Sequence, residues 1–210
     1  MSSQDQPRPA HRPSRRAHII DAAIQVFATA GYGEASIEDI ARTAGVAPTA
    51  VYYHFGGKDE LFTEALRTAL DGFSEQVIAA RPDDEPGDTE GLRRVIRAGW
   101  EWWRTHPAAS RLVGRYSESS APHAQEVRLE WEERHLERAF AYVAPVKSAR
   151  PTRRARELHA THSLAIRVML DVILVSQAAF LDAGPLKSGS KVAVGAAVED
   201  MCVMIIETMD

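Results

Sequence analysis

Within ten residues the chain places Thr49, Tyr52, Tyr53, His54 and Lys58, five side chains with polar tips and no partner nucleophile. Phenolic hydroxyls, an imidazole N–H and an ammonium all donate to phosphate oxygens, while a threonine presents a hydroxyl and a methyl that can face base edges. No Gly-rich phosphate loop, nucleophile elbow or carboxylate–histidine constellation at a recognisable spacing occurs in the chain. The chemistry on offer is therefore recognition of a phosphate-bearing polymer, and an enzyme is not expected.

These side chains need a short, rigid element, and the local punctuation supplies one. Ser36 followed by Asp39 matches a capping box. Ile37, Ile40, Ala41 and Ala44 repeat at helical spacing, and Gly45 suits the sharp turn that follows because it takes positive φ without a Cβ clash. Pro48 fits a first helical turn. Val51 and Phe55 point inward, which turns Tyr52, Tyr53 and His54 largely outward. Gly56-Gly57 ends the helix and Lys58 opens the next. The pattern predicts a helix-turn-helix whose second helix is of a size to enter a DNA major groove.

The segment Val46–Leu61, VAPTAVYYHFGGKDEL, resembles the recognition segment of TetR/AcrR-type transcriptional repressors, and the resemblance runs from about Arg15 to Leu66. It implies an all-α homodimer: an N-terminal three-helix DNA-binding domain, then a larger helical domain that binds a small-molecule inducer of unknown identity and dimerises. By position, Tyr52, Tyr53, His54 and Lys58 match family positions that touch DNA, mostly phosphates. Thr49 matches one that can face base edges, and Ser36 one that contacts a phosphate at the start of the second helix. Ala47 and Pro48 stand where many members carry Ser, Thr, Lys or Arg, so specificity would rest on Thr49, thymine methyl contacts and DNA shape.

Composition is compatible with that reading, with one awkward feature. The 210 residues, 45% hydrophobic and 26% charged, suit a soluble globular protein. Net charge is −4, and residues 1–80 hold seven Lys/Arg against ten Asp/Glu, which predicts weak nonspecific DNA affinity. An acid-free run of Arg8, Arg12, Arg15 and Arg16 precedes the first helix. It is read as part of a disordered basic arm, residues 1–13, that either reaches a minor groove or serves only solubility. Arg15 and Arg16 join the DNA-binding candidates. The lone Cys202 excludes a disulfide framework and reads as core. The N-terminus has no apolar signal region, and the run from Val168 to Leu181 is too interrupted to span a bilayer, so a cytoplasmic protein without a membrane partner is expected.

About nine helices are expected. The first, about Ser14 to Ala30, completes a DNA-binding domain at 14–60, and residues 61–210 form the ligand-binding and dimerisation domain. A long helix from about Lys58 to Ala80 joins the two and can transmit a tilt between them. Further helices are placed at about Thr89–His106, then a short one, then about Pro122–Val143, Thr152–Ala183, and one to the C-terminus. The last two are apolar almost all round, through Leu164 to Val175 and Val192 to Ile206. They predict a homodimer through a four-helix contact that sets two recognition helices about 34–36 Å apart over a palindromic double-stranded operator.

For the inducer, aromatic walls with a few polar groups are sought. Trp100, Trp103, Tyr116, Trp131, Met169, Asp171, Ile173 and Gln177 are the candidate lining, although each is equally at home in a bundle core. Asp171 suits a cationic ligand beside tryptophan or a salt link to Arg167, and an acyl or aromatic ligand fits as well. His159 and His162, spaced i, i+3, lack further ligands nearby, so neither a metal nor a cofactor is expected. The competing reading is a helical small-molecule or metal-binding protein, or an enzyme, that keeps the helix-turn-helix only as structure.

Overall fold

In the computed structural model, residues 14–81, 89–116, 123–143, 164–173 and 188–207 are described. They are helical apart from turns, with no strand among them. Helix α1 is Arg15–Ala30, α2 Ile37–Thr43, α3 Pro48–His54, α4 Lys58–Ala79, α5 Thr89–Thr105, α6 Pro107–Tyr116 and α7 Ala124–Val143. The stretch 164–173 is termed α8, and α9 is Lys191–Glu207. The all-helical expectation holds.

The expected punctuation works as read. Ser14 caps α1 by accepting from the Ala17 amide, and Gly31 ends it at φ 86°. Ser36 caps α2 by accepting from the Asp39 amide at 3.1 Å. The Asp39 carboxyl reaches back to the Ser36 backbone in return, as a capping box requires. It accepts from the Ser36 hydroxyl at 2.5 Å and pairs with Arg42, and these contacts hold its carboxyl below the usual range. The α2–α3 turn is a Schellman closure: Val46 N–H bonds Ala41 O at 2.9 Å and Gly45 N–H bonds Arg42 O at 3.1 Å, with Gly45 at φ 64°.

The first core is built on Ile19, Ala23, Phe27, Ile40, Val51, Leu61 and Phe62, all sealed from solvent or nearly so. From there α4 runs on, packing against α1, α5, α6 and α7 in turn. Its Phe73 ring stacks on Trp103 of α5 at 5.1 Å and contacts Trp131 and His135 of α7 at 6.0 and 5.7 Å. Gly99 permits this crossing, because a Cβ there would meet the Phe73 ring at 3.0 Å. Helix α9 is clamped to α5 by Glu199, which accepts from both Nε and Nη2 of Arg97 at 3.0 and 2.8 Å.

The helices predicted to be apolar on every side are not buried on every side. Leu164 and Val168 of α8, and Val192, Met201 and Met204 of α9, are exposed in the single chain, while Cys202 is buried as expected. On α7, Glu130 pairs with Arg67 and Arg134 with Asp71, both across to α4. The arm 1–13 lies outside the described residues, as do 144–163 and 174–187.

Candidate nucleic-acid interface and interior cavity

On α3, Val51 and Phe55 are buried and leave Thr49, Tyr52 and Tyr53 exposed, the two tyrosines at 56% and 84%. His54 is half-buried, edge-on to Tyr53 at 5.0 Å. Nothing but solvent requires these rings to face outward, and the helix is too short to be stable alone. It is held by its two inward residues and by Arg16, whose guanidinium lies 4.9 Å above the Phe55 ring while bonding Glu64 of α4 at 2.5 Å. Arg16 thus ties α1, α3 and α4 together while remaining 44% exposed, and its neighbour Arg15 is exposed as well. The bond from Arg16 holds the Glu64 carboxyl below its usual range.

Lys58 is employed differently from the expectation. Its ammonium donates to Tyr32 O at 2.9 Å, Ala35 O at 3.1 Å and Gly33 O at 3.4 Å, and sits 4.6 Å over the Tyr32 ring. All three donors are engaged by the α1–α2 turn, leaving none for a phosphate. The Tyr32 hydroxyl in turn donates to Asp59, and that bond, with burial, pushes the phenol up to about 12. The hydroxyl of Ser36 is likewise used within α2, by the Asp39 amide and carboxylate.

The second half of α4 borders two small cavities. One, of about 50 Å³, is lined by Phe73, Val77 and Arg81 of α4, Leu92 and Ile96 of α5, His135 of α7, and Met169 and Ile173 of α8. The other, of about 40 Å³, is lined by Leu70, Phe73, Trp103, Val113, Trp131, Leu170, Arg128, Glu132, Arg167 and Asp171. Phe73 and Leu170 face both and form the partition. Either volume holds a few waters, well short of the several hundred Å³ of a typical ligand site.

Of the expected lining, Trp103, Trp131 and Asp171 meet at one cavity, and Met169 and Ile173 at the other. Trp100 does not join them: it is buried against α9, where a Cβ on Gly195 would meet its Nε1 at 2.7 Å. Asp171 is a surface carboxylate, 56% exposed, that accepts from Arg167 Nε at 3.1 Å, so the salt link is its observed role. Gln177 and the side chain of Tyr116 lie outside the described residues. Composition gave no sign of the buried polar group between these cavities. Trp131 Nε1 donates to Ser74 Oγ at 2.9 Å and Leu70 O at 3.0 Å, and Ser74 Oγ lies 3.1 Å from His135 Nδ1. Burial pushes His135 down to about 4, with Arg81 and Arg138 adding to the effect. His135 is thus buried and hydrogen-bonded. Trp131 at i, i+4 was the available signal.

Residues 19–65 match the family model of bacterial regulatory proteins, tetR family. The transcriptional regulator BetI of Rhizobium meliloti is 34% identical over 35% of this chain and 36% of its own. RutR of Escherichia coli K12 is 33% identical over 47% and 46%. The matched segments thus span less than half of these curated relatives. In fold the likeness extends further. The fatty acid degradation regulator FadR of Bacillus halodurans superposes with a TM-score of 0.69 at 16% identity, covering 92% of this chain and 97% of that one. FadR of Bacillus subtilis, solved in complex with stearoyl-CoA, gives 0.66 at 18% identity over 89% and 97%. Helix order, the Schellman turn, the outward tyrosines and these matches agree: the N-terminal domain of this chain is that of the tetR family of regulators, carried on a chain with the tetR-type all-helical fold.

Proposed function

We propose that this chain is a ligand-responsive transcriptional regulator, a repressor that binds a palindromic DNA operator as a homodimer and is released by a small-molecule inducer. The observation that carries it is the continuity of α4, which begins at the recognition helix and ends in the wall of both cavities. Ordering a ligand there must displace Phe73, Val77 or Arg81, and a rigid helix passes that displacement to Lys58 and the α1–α2 turn. The acyl-CoA bound by the Bacillus subtilis neighbour supports a ligand site within this fold.

In this reading residues 14–60 bind DNA and 61–210 bind ligand and dimerise, inside the cell. Thr49 faces base edges; Tyr52, Tyr53 and His54 hold phosphates, with Arg15 and Ser36 at the margin. Arg16 and Lys58 act one step back, as positioning residues. The exposed apolar residues of α8 and α9 support dimerisation through those helices. The fold relatives are regulators, which favours this reading over an enzyme. Selection of random duplexes on the purified protein tests it. A palindrome with half-sites one turn apart is expected, bound about tenfold or more weakly after Tyr52→Ala, with altered base preference after Thr49→Ala. No enrichment from folded, ligand-stripped dimer, or unchanged affinity in Tyr52→Ala, would refute it.

A further inference from the structure

The interior of α7 contains a cation whose role the packing does not explain. Arg128 is only 19% exposed, and its Nε stands 3.6 Å from the Glu132 carboxylate, beyond hydrogen-bond reach. Glu132, itself 13% exposed, gives its closer contact to Arg167 at 2.6 Å. The Arg128 Nε is sealed from solvent and bonded to nothing described. A guanidinium offers its donors in a planar fork, and leaving the buried Nε–H unmet in a pocket walled by Trp103, Trp131, Val113 and Leu170 is costly.

Resting on the reading that this interior receives the inducer, we infer that the inducer is an amphiphilic carboxylic acid, its carboxylate held by the Arg128 fork and its apolar body threaded past Phe73 and Leu170 into the second cavity. A carboxylate matches the fork geometry bidentately. The nearby carboxylates of Glu132 and Asp171 disfavour a doubly charged head such as a phosphate monoester. A cationic ligand is disfavoured, because Arg167 already neutralises both acids and the Arg128 charge adds to it. Beyond the partition the lining is Val77, Leu92, Val95, Ile96, Met169 and Ile173, which suits an unbranched or aryl hydrocarbon. Neither cavity alone admits such a chain, so its entry joins them by displacing Phe73, the residue of α4 at the centre of the aromatic cluster.

The test uses the full chain without DNA, reading tryptophan emission, since Trp103 and Trp131 border the site, and calorimetry. The probes are octanoate, octanol and octylamine. Octanoate is expected to bind about tenfold or more tightly than octanol, and octylamine more weakly than both. Arg128→Met should lower octanoate to the level of octanol while leaving octanol unchanged, and Arg128→Lys should recover part of the difference. Equal affinities, preference for octylamine, absence of octanoate binding, or an unaltered octanoate affinity in Arg128→Met would overturn the inference. If Arg128→Met does not fold, the ratio in the unsubstituted chain decides. Operator release is measured separately: octanoate binding without release refutes the regulator reading alone, and release by an uncharged or cationic compound but not by octanoate refutes the inference alone.

Discussion

Replacing Lys58 by methionine separates two roles that the sequence leaves superposed. A lysine in the first turn of a helix opposes the macrodipole, so its position there needs a compensating interaction. The structure supplies one in three backbone carbonyls, at 2.9, 3.1 and 3.4 Å, and the face of Tyr32 at 4.6 Å. Hydrogen bonds to charged groups contribute about 1.5–3 kcal/mol where the partners are withdrawn from water, and an exposed cation–π contact about 0.5–1 kcal/mol. Gly33 is exposed and its carbonyl can turn to water, so the lower part of that range applies. Lys58→Met is therefore expected to destabilise the chain by about 2 kcal/mol, which for a protein of this length lowers Tm by about 4–8 °C. Guanidinium unfolding at one fixed protein concentration measures it. In parallel, the slope of log affinity against log salt is measured on a selected duplex. A direct phosphate contact would contribute about 0.9 to that slope, whereas a buried strut contributes nothing. An unchanged midpoint with a slope reduced by about one would refute the strut and restore the phosphate contact.

Two further outcomes follow from buried groups. The His135 imidazole is held neutral down to about 4 in the folded chain against an ordinary 6.5, so the unfolded chain binds the proton first and stability falls as pH drops from about 6.5 toward 4. The loss approaches about 1.4 kcal/mol per pH unit as an upper bound, and in His135→Gln that part of the pH dependence measured by denaturant midpoints should vanish. Burial pushes the Cys202 thiol up to about 12. A disulfide reagent at pH 8 should therefore label it only as fast as α9 opens, and labelling at the rate of a free thiol would contradict the packing.

What was legible in the sequence was local. Ser14, Ser36, Gly45, Pro48 and Gly57 act on backbone within a few residues of themselves, so α1 to α4 are placed within a residue or two. Trp103, Trp131, Met169 and Ile173 were found as cavity walls because large apolar groups on one helical face have few other places to go. The misreadings all depend on a partner distant in the chain. Lys58 looks like a free cation until the turn at 32–35 folds three carbonyls around it. Trp100 was grouped with the ligand lining because nothing near it in sequence reveals that Gly195 opens a seat on α9. The Ser74–His135 contact spans 61 residues, and spacing carries no trace of it.

The same distances indicate which contacts can carry a signal along α4. A ladder of ion pairs, Arg16–Glu64–Arg67–Glu130, runs from α1 to α7 and invites reading as the route. Its members are exposed at the ends and half-exposed between, however, and such pairs contribute roughly 0–1 kcal/mol each, shared with water and salt. Their long side chains also swing to follow a moving partner, so a shift of α4 leaves them intact and transmits little. Packed rings behave otherwise. Phe73 is fixed among Trp103, Trp131 and His135, and at the other end Phe62 meets Phe27 at 5.2 Å and Tyr32 at 5.0 Å. Close-packed cores repack between discrete arrangements and do not deform smoothly. A coupling of about 1–3 kcal/mol, the ordinary range for regulation, is one repacked aromatic contact at either end of a stiff 22-residue helix. If the chain is the regulator proposed above, the two aromatic clusters with α4 between them are the contacts that would carry its switch, more than the ion pairs along it.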